Sequence, residues 1–272
     1  MKPEISVIIP LYNKEKIIQQ CVDSILTQSF HNFELIIVND GSTDNSSKII
    51  EEILDSRIRI INQENGGPSK ARNTGIKNAN ADWLYFIDAD DMATPGCLQH
   101  FYELIQLNPQ IEMFCGEVLM ANNKRQKIAK TYSDGIVNNP FKIFVQNKLF
   151  QCSGSSIYSK NLCMNHLYDE RLRRFEDLDC LFRRYHTAKL YLTHFVVAII
   201  NVNFASASSA RKLIEEDFVG HLKFKGKSFW ERMALYKLYL EERNRYSKEI
   251  DKLYPLLRRR YDYLLFYKLT KL

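Results

Sequence analysis

Along the first ninety residues, short unbroken apolar runs alternate with stretches whose apolar positions recur every three or four residues. ISVIIP (5–10) and FELIIVND (33–40) read as strands buried on both faces, and RIRIIN (57–62) and DWLYFID (82–88) as two more. Three helical patterns lie between them. The first runs from Lys14 to Gln28, with Ile18, Cys21, Val22 and Ile25 on one stripe. The second is STDNSSKIIEEIL (42–54), capped by Ser or Thr, and the third is GPSKARNTGIKNA (67–79), opening near Pro68. Such alternation with short connections predicts right-handed crossovers and a mainly parallel α/β sheet with helices on both faces.

Ligands of such sheets bind beyond the carboxyl ends of the strands, where loops and helix N-termini converge. Polar clusters stand at those ends: Pro10-Leu11-Tyr12-Asn13, Asn39-Asp40-Gly41, Asn62-Gln63-Glu64-Asn65 and Asp88-Ala89-Asp90-Asp91. They are expected to face one crevice. After Met92 the pattern changes to a helix from Pro95 to Leu107 and short strands near Ile111 to Met120 and Gln126 to Tyr132. A helix at Phe141 to Asn147, a strand at Gly154 to Tyr158 and a helix from Glu176 to His186 follow. This half is predicted to form an antiparallel extension beside the parallel sheet.

Composition narrows the class without naming a chemistry. A chain of 272 residues, 45% apolar and 26% charged, suits an ordinary globular domain with an extension. The opening MKPEISVIIPLYN is neither a signal peptide nor a span, and FVVAIINV (195–202) has only strand length, so no bilayer-crossing helix is expected. The six cysteines show no Cys-x-x-Cys spacing and are expected to be reduced, mostly buried thiols of a cytoplasmic protein. The six histidines form no metal-ligand pattern. Residues 211–272 hold 16 Lys/Arg against nine Asp/Glu, whereas the preceding 210 residues hold 22 against 23. All the excess of the +6 net charge therefore lies in the last quarter.

The triple aspartate of YFIDADDM (85–92) needs a positive partner, because crowded carboxylates repel one another. Asp88 and Asp90, at i and i+2, project to the same side of an extended segment, and hard oxygen ligands select Mg²⁺ or Mn²⁺. The competing reading is an acidic capping loop. NGGPSKARNTGI (65–76) supplies exposed backbone amides at Gly66 and Gly67, with Lys70 and Arg72 in the first helical turns, a setting suited to an anion. A Walker loop and a Gly-x-Gly-x-x-Gly fingerprint are both absent, which argues against a dinucleotide cofactor.

Taken in order, SVIIPLYN, ELIIVNDGSTDNS, NGGPSKARNTGI, FIDADD and RFEDLDC resemble the motifs of family-two glycosyltransferases over roughly residues 5–209. The resemblance implies the GT-A fold and an inverting transfer from a nucleotide-diphosphate sugar, in the manner of bacterial polysaccharide synthesis. It implies that Asp40 reads the base, usually uracil, in a pocket lined by Pro10 and Tyr12. Arg72 and Asn73 then lie near the nucleotide, and Asp88-Ala89-Asp90 binds ribose and the metal-diphosphate, with Asp90 and Asp88 as ligands of Mn²⁺ or Mg²⁺. Gly154 and Ser155 would border the donor sugar. In RFEDLDC (174–180), Asp177 matches the catalytic base, and Glu176 and Asp179 would position the acceptor. The chain departs from the family where an aromatic-Arg-x-His stretch often follows the last strand: Ile200-Asn201-Val202-Asn203-Phe204 stands there instead, which puts closure over the diphosphate in doubt.

The resulting expectation is a catalytic domain over 1–210, with a nucleotide-binding half (1–91) and an acceptor-binding half (92–210), followed by a basic aromatic helical extension (211–272). The enzyme would be a metal-dependent hexosyl- or N-acetylhexosaminyltransferase using a UDP-sugar and a saccharide or lipid-linked saccharide acceptor. In the extension, Ser228 and Glu231 fit a capping box, and Arg258, Arg259, Arg260, Lys268 and Lys271 mix with leucines and tyrosines. Two readings of it stay open: contact with an anionic membrane surface on the cytoplasmic side, or packing on the domain or a sister subunit in a homo-oligomer. Nucleic acid is not expected, since no binding motif accompanies the charge. A sugar nucleotidyltransferase would need a Gly-rich, Arg-containing loop where PLYNKEK stands. A catalytically silent nucleotide-sugar-binding partner would not need Asp40, Asp88, Asp90 and Asp177 together.

Overall fold

In the computed structural model, residues 2–122, 125–128, 134–147, 152–201, 213–246 and 248–255 are described. The chain begins with strand β1 (Ile5–Leu11), helix α1 (Ile18–Leu26), β2 (Phe33–Asp40), α2 (Ser46–Glu51), β3 (Ile58–Gln63), α3 (Pro68–Asn78) and β4 (Trp83–Phe86). β1 pairs in parallel with both β2 and β4, and β2 with β3. The alternation expected from the sequence is thus present in order. Each central strand is buried on both sides. Ile5, Val7, Ile9 and Leu11 of β1 face one apolar cluster with α1 and α2, while Ile8 faces a second cluster with α3.

Two local boundaries differ from the sequence reading. α1 starts at Ile18 rather than Lys14, because residues 14–17 form a tight turn in which Ile17 N and Ile18 N both donate to Lys14 O. α2 has no Ser or Thr cap: Asp44 Oδ1 accepts from Ser46 N instead.

The second half is β5 (Met92–Ala93), α4 (Cys97–Leu107), β6 (Met113–Asn122), β7 (Arg125–Ile128), β8 (Gly135–Val137), α5 (Pro140–Val145), β9 (Ser156–Ser159), α6 (Lys160–Asn165), α7 (Glu176–Arg184) and β10 (Leu190–Asn201). These strands do not form a separate layer beside the parallel sheet. They continue it, in the order β3-β2-β1-β4-β9-β6-β10-β5. β9 runs antiparallel between β4 and β6, and β6 is parallel to β10. The reversal at β9 follows from the register: Tyr85 pairs with Ile157, and the same residue pairs with Phe114 on the other side. One mixed sheet therefore carries both halves of the crevice.

The chain ends, within the described residues, with α8 (Phe229–Tyr246) and α9 (Lys248–Leu253). Ser228 Oγ accepts from Glu231 N at 3.2 Å, so half of the expected capping box forms, while the Glu231 carboxylate pairs with Lys227 and His186. Leu235, Leu238 and Tyr239 are buried in the α3–α7 cluster. Trp230, Met233, Tyr236 and Leu240 pack against it. This part of the extension packs on the domain. Arg258, Arg259, Arg260, Lys268 and Lys271 lie outside the described residues. Among the described residues no helix is long and apolar enough to cross a membrane. The six cysteines are all free thiols, five of them buried.

Candidate active site

The loops after β1, β2, β3 and β4 meet at one end of the sheet, as the strand-end clusters predict. Asn13, held at φ 50, accepts from Thr43 N through Oδ1 at 2.8 Å and so ties the β1 loop to the β2 loop. Asn39 Nδ2 donates to Asn62 Oδ1 across β2 and β3. Tyr12 is 46% exposed and stands at the rim beside half-buried Pro10.

Asp40 is buried, and its oxygens accept from Gln63 Nε2 (2.7 Å), Gly66 N (2.9 Å) and Gly67 N (2.7 Å). The carboxylate thus holds the glycine loop in place, and Gly67 adopts φ 84, a left-handed conformation that costs glycine least. Asn73 is buried beside Arg72 on α3. It donates to Tyr168 O and Glu170 Oε1 and accepts from Tyr168 N, which fixes the 168–170 segment onto α3. The Asn73 side chain thus serves tertiary structure, one residue along α3 from Arg72.

Each aspartate after β4 has its own partner. Lys14 Nζ pairs with Asp90 Oδ2 at 2.5 Å, and Arg72 Nη2 pairs with Asp88 Oδ1 at 2.8 Å. Asp91 is buried and accepts from Asn201 N at 2.9 Å, which ties the acidic loop to the end of β10. Burial, reinforced by repulsion from Asp88, pushes the Asp91 carboxyl up to about 8. Ala89 lies in the apolar core and spaces the two aspartates. Burial likewise raises Asp90, with Lys14 working against the shift.

Whether this donor set suits a divalent ion follows from its chemistry. Asp88 and Asp90 supply hard carboxylate oxygens with 36% and 13% of their side-chain surface exposed. Among the described residues no third His, Cys, Asp or Glu completes a protein cage. Mg²⁺ characteristically takes one or two carboxylates and fills its remaining positions with water and phosphate oxygens. The two aspartates fit an ion held in that way.

Arg72 is the hinge of the site. Its guanidinium is buried, and Nη1 reaches Glu176 Oε1 at 3.0 Å while Nη2 holds Asp88. It joins the acidic loop after β4 to the start of α7. Phe175 precedes that helix in a left-handed conformation (φ 55), turning the chain so that the first turn of α7 faces the crevice. Asp177 accepts from Leu178 N at 2.8 Å. Burial, with Glu176 beside it, raises the Asp177 carboxyl to about 7, and Arg72 opposes the rise. Asp179 points elsewhere. It pairs with Arg183 one turn on and lines a separate cavity of about 400 Å³ with Asp169 and His186. The expected acceptor-positioning role is thus unsupported by its place on the helix.

Gly154 adopts φ 89, donates to Phe86 O at 2.7 Å, and its carbonyl accepts from the Tyr85 hydroxyl. Ser155 is fully buried and bonds to Cys152 N and O, so it closes the turn before β9 and does not face a sugar. Ser153, unlike Ser155, lines the cavity beside Gly154. Lys14, Ser153, Tyr168 and Arg184 were not anticipated from the sequence. The only signal for Lys14 was its place just after Tyr12-Asn13 at the end of β1.

Residues 6–167 match the family model described as Glycosyl transferase family 2. Among curated relatives, the uncharacterized glycosyltransferase EpsJ of Bacillus subtilis (strain 168) is 41% identical over 127 residues, 46% of this chain and 37% of EpsJ. The chain therefore spans little more than a third of that relative's length. The putative glycosyltransferase EpsH of the same strain is 29% identical over 270 residues, covering 92% of this chain and 73% of EpsH. The crystal structure of S. aureus TarS 1–349 in complex with UDP-GlcNAc superposes with a TM-score of 0.74 at 22% identity, over 89% of this chain and 73% of that one.

Proposed function

The chain belongs to glycosyl transferase family 2, with the GT-A fold, and from that premise we propose that it transfers a sugar from a UDP-sugar to a saccharide hydroxyl with inversion. The observation that carries the reading is the bridge Asp88–Arg72–Glu176, which brings the acidic loop and the first turn of α7 into one crevice with Asp177. The TarS complex with UDP-GlcNAc supports UDP as the nucleotide.

In this reading the base lies over the loop that Asp40 holds, with Tyr12 at its edge. Asp88 and Asp90 hold Mg²⁺ or Mn²⁺, which when bound offsets charge on the leaving diphosphate. Lys14 and Arg72 add fixed positive charge beside the same groups. Asp177 accepts the proton of the acceptor hydroxyl, which attacks the anomeric carbon from the face opposite the diphosphate. A carboxyl raised to about 7 suits this task, because it holds a proton well and is still ionised in a large fraction at neutral pH. The acceptor is proposed to be a saccharide of a surface polysaccharide. The basic residues of 211–272 support peripheral contact with an anionic membrane.

A panel of UDP-sugars, each incubated with and without Mn²⁺, tests the assignment. Release of UDP from at least one donor, dependent on Mn²⁺ and lost in Asp90→Ala, is the expected result. A folded protein that binds no UDP, or releases it equally without Mn²⁺ and Asp90, would refute the donor and metal assignments respectively.

A further inference from the structure

Three arginines of the described residues are buried: Arg72, Arg174 and Arg184. Arg72 carries Asp88 and Glu176, and Arg174 carries Asp217 and Glu242. Arg184 carries no carboxylate among the described residues, although it is the most buried of the three at 1% exposure. Its guanidinium lies over the rings of Tyr158 (4.5 Å) and Tyr168 (5.2 Å), and Nη2 donates to His166 O at 3.3 Å. Its Nε has no hydrogen-bond partner. The tyrosine faces offset part of the cost of burying the cation, yet a buried guanidinium without an anion is an incomplete arrangement.

The second observation is independent. Among the described residues just two buried side-chain polar atoms lack a partner, Arg184 Nε and Ser153 Oγ. Both residues line one cavity, of about 20 Å³, whose wall also includes Gly154, Arg72 and Asp177. Arg184 and Asp177 are seven residues apart on α7 and so share one face, about 10 Å apart along the axis. Helical side chains lean towards the N-terminus, which brings the guanidinium back towards Asp177.

We propose that this cavity is a carboxylate subsite of the transfer site, and that the saccharide bound there is an acidic one, a hexuronate or similar sugar acid. The assignment rests on the proposed nucleotide-sugar reading and specifies its substrate class. The sugar carboxylate accepts from Arg184 Nε and from Ser153 Oγ, while the ring passes over Gly154 towards Asp177. A planar carboxylate offers two acceptor oxygens, one for each of the two unpartnered donors. The planar guanidinium matches that geometry. The carboxylate belongs either to the donor sugar or to the acceptor, and the two sources are separable by experiment.

Calorimetric titration of the full chain provides the test. UDP alone is titrated first, and absence of binding would remove the nucleotide-sugar reading itself. With UDP binding established, UDP-glucuronate is compared with UDP-glucose, and, in the presence of UDP, a glucuronate-terminated oligosaccharide with its neutral counterpart. The expected result is an acidic ligand bound about tenfold or more tightly than its neutral partner in one of the two arms. That preference should vanish in Arg184→Met and shrink in Ser153→Ala, which tests the site even if the arginine variant does not fold. Equal affinity for acidic and neutral sugars in both arms, with UDP still bound, would overturn the subsite and leave the nucleotide-sugar reading standing.

Discussion

Lys14 Nζ lies 2.5 Å from Asp90 Oδ2, across 76 residues of sequence, and gives the acidic loop a cation of its own. The pair joins the end of β1 to the end of β4. Both side chains are mostly removed from water, so the contact is screened less than a surface pair would be.

A divalent ion binding to Asp90 must displace this lysine. Lys14→Met should therefore bind Mn²⁺ more tightly in the absence of nucleotide, by roughly tenfold, or about 1.4 kcal/mol. Electron paramagnetic resonance of free Mn²⁺ gives the affinity directly. Unchanged or weaker binding would show that Lys14 does not compete for the site.

Asp177 makes a prediction about both rate and pH. Its carboxyl is raised to about 7, so the ionised fraction, and with it the transfer rate, should reach half its maximum near pH 7 and level off about one pH unit higher. Asp177→Asn should transfer about a hundredfold more slowly or worse, with no such pH dependence and with UDP affinity unchanged. A variant with normal transfer and weakened UDP binding would place Asp177 on the nucleotide instead.

Gly116 sits in β6, where an added Cβ would lie 2.7 Å from Phe195 O and 2.5 Å from Val197 Cγ1 on β10. The strands have no room to separate, since Gly116 N also donates to Ser155 O at 2.9 Å. Gly116→Ala should destabilise the fold by about 1–3 kcal/mol. Urea denaturation measures this, and a neutral result would mean that β10 shifts without cost.

Arg174 is sandwiched between Asp217 and Glu242, with bonds of 2.7–2.8 Å to the two carboxylates. Arg174→Met would leave buried Asp217 without its cation and Glu242 with Arg245 alone. The expected loss is about 3–5 kcal/mol in urea denaturation at neutral pH. Much of it should return at low pH, where both acids are protonated. No recovery on acidification would assign the loss to packing.

The parallel half of the sheet was legible because its two periodicities differ sharply, and each β1–β4 run is flanked by a helix of the other period. β9 was not, because its four residues carry no sign that they belong between β4 and β6. The strand-end rule pointed to Asp40, Asp88 and Asp90 and the resemblance to Asp177, and the fold brings Asp88 and the first turn of α7 together through Arg72. Composition and motif could not show that Asp40 spends its oxygens on Gly66 and Gly67, or that Asn73 faces Tyr168. Those facts depend on which long-range partners arrive first. The same reason hid Arg184, whose interest lies in a partner it lacks.

The triad of Arg174, Asp217 and Glu242 also limits how this chain can be recombined. Arg174 lies three residues before Asp177, while Glu242 belongs to α8, and Tyr246 of the same helix donates to Asp217. The helical extension is therefore a buttress for the turn that leads into α7 and cannot be exchanged as a detachable module. A chimera that takes its extension from another protein would have to import an acid facing Arg174, or the helix bearing Asp177 would lose its anchor.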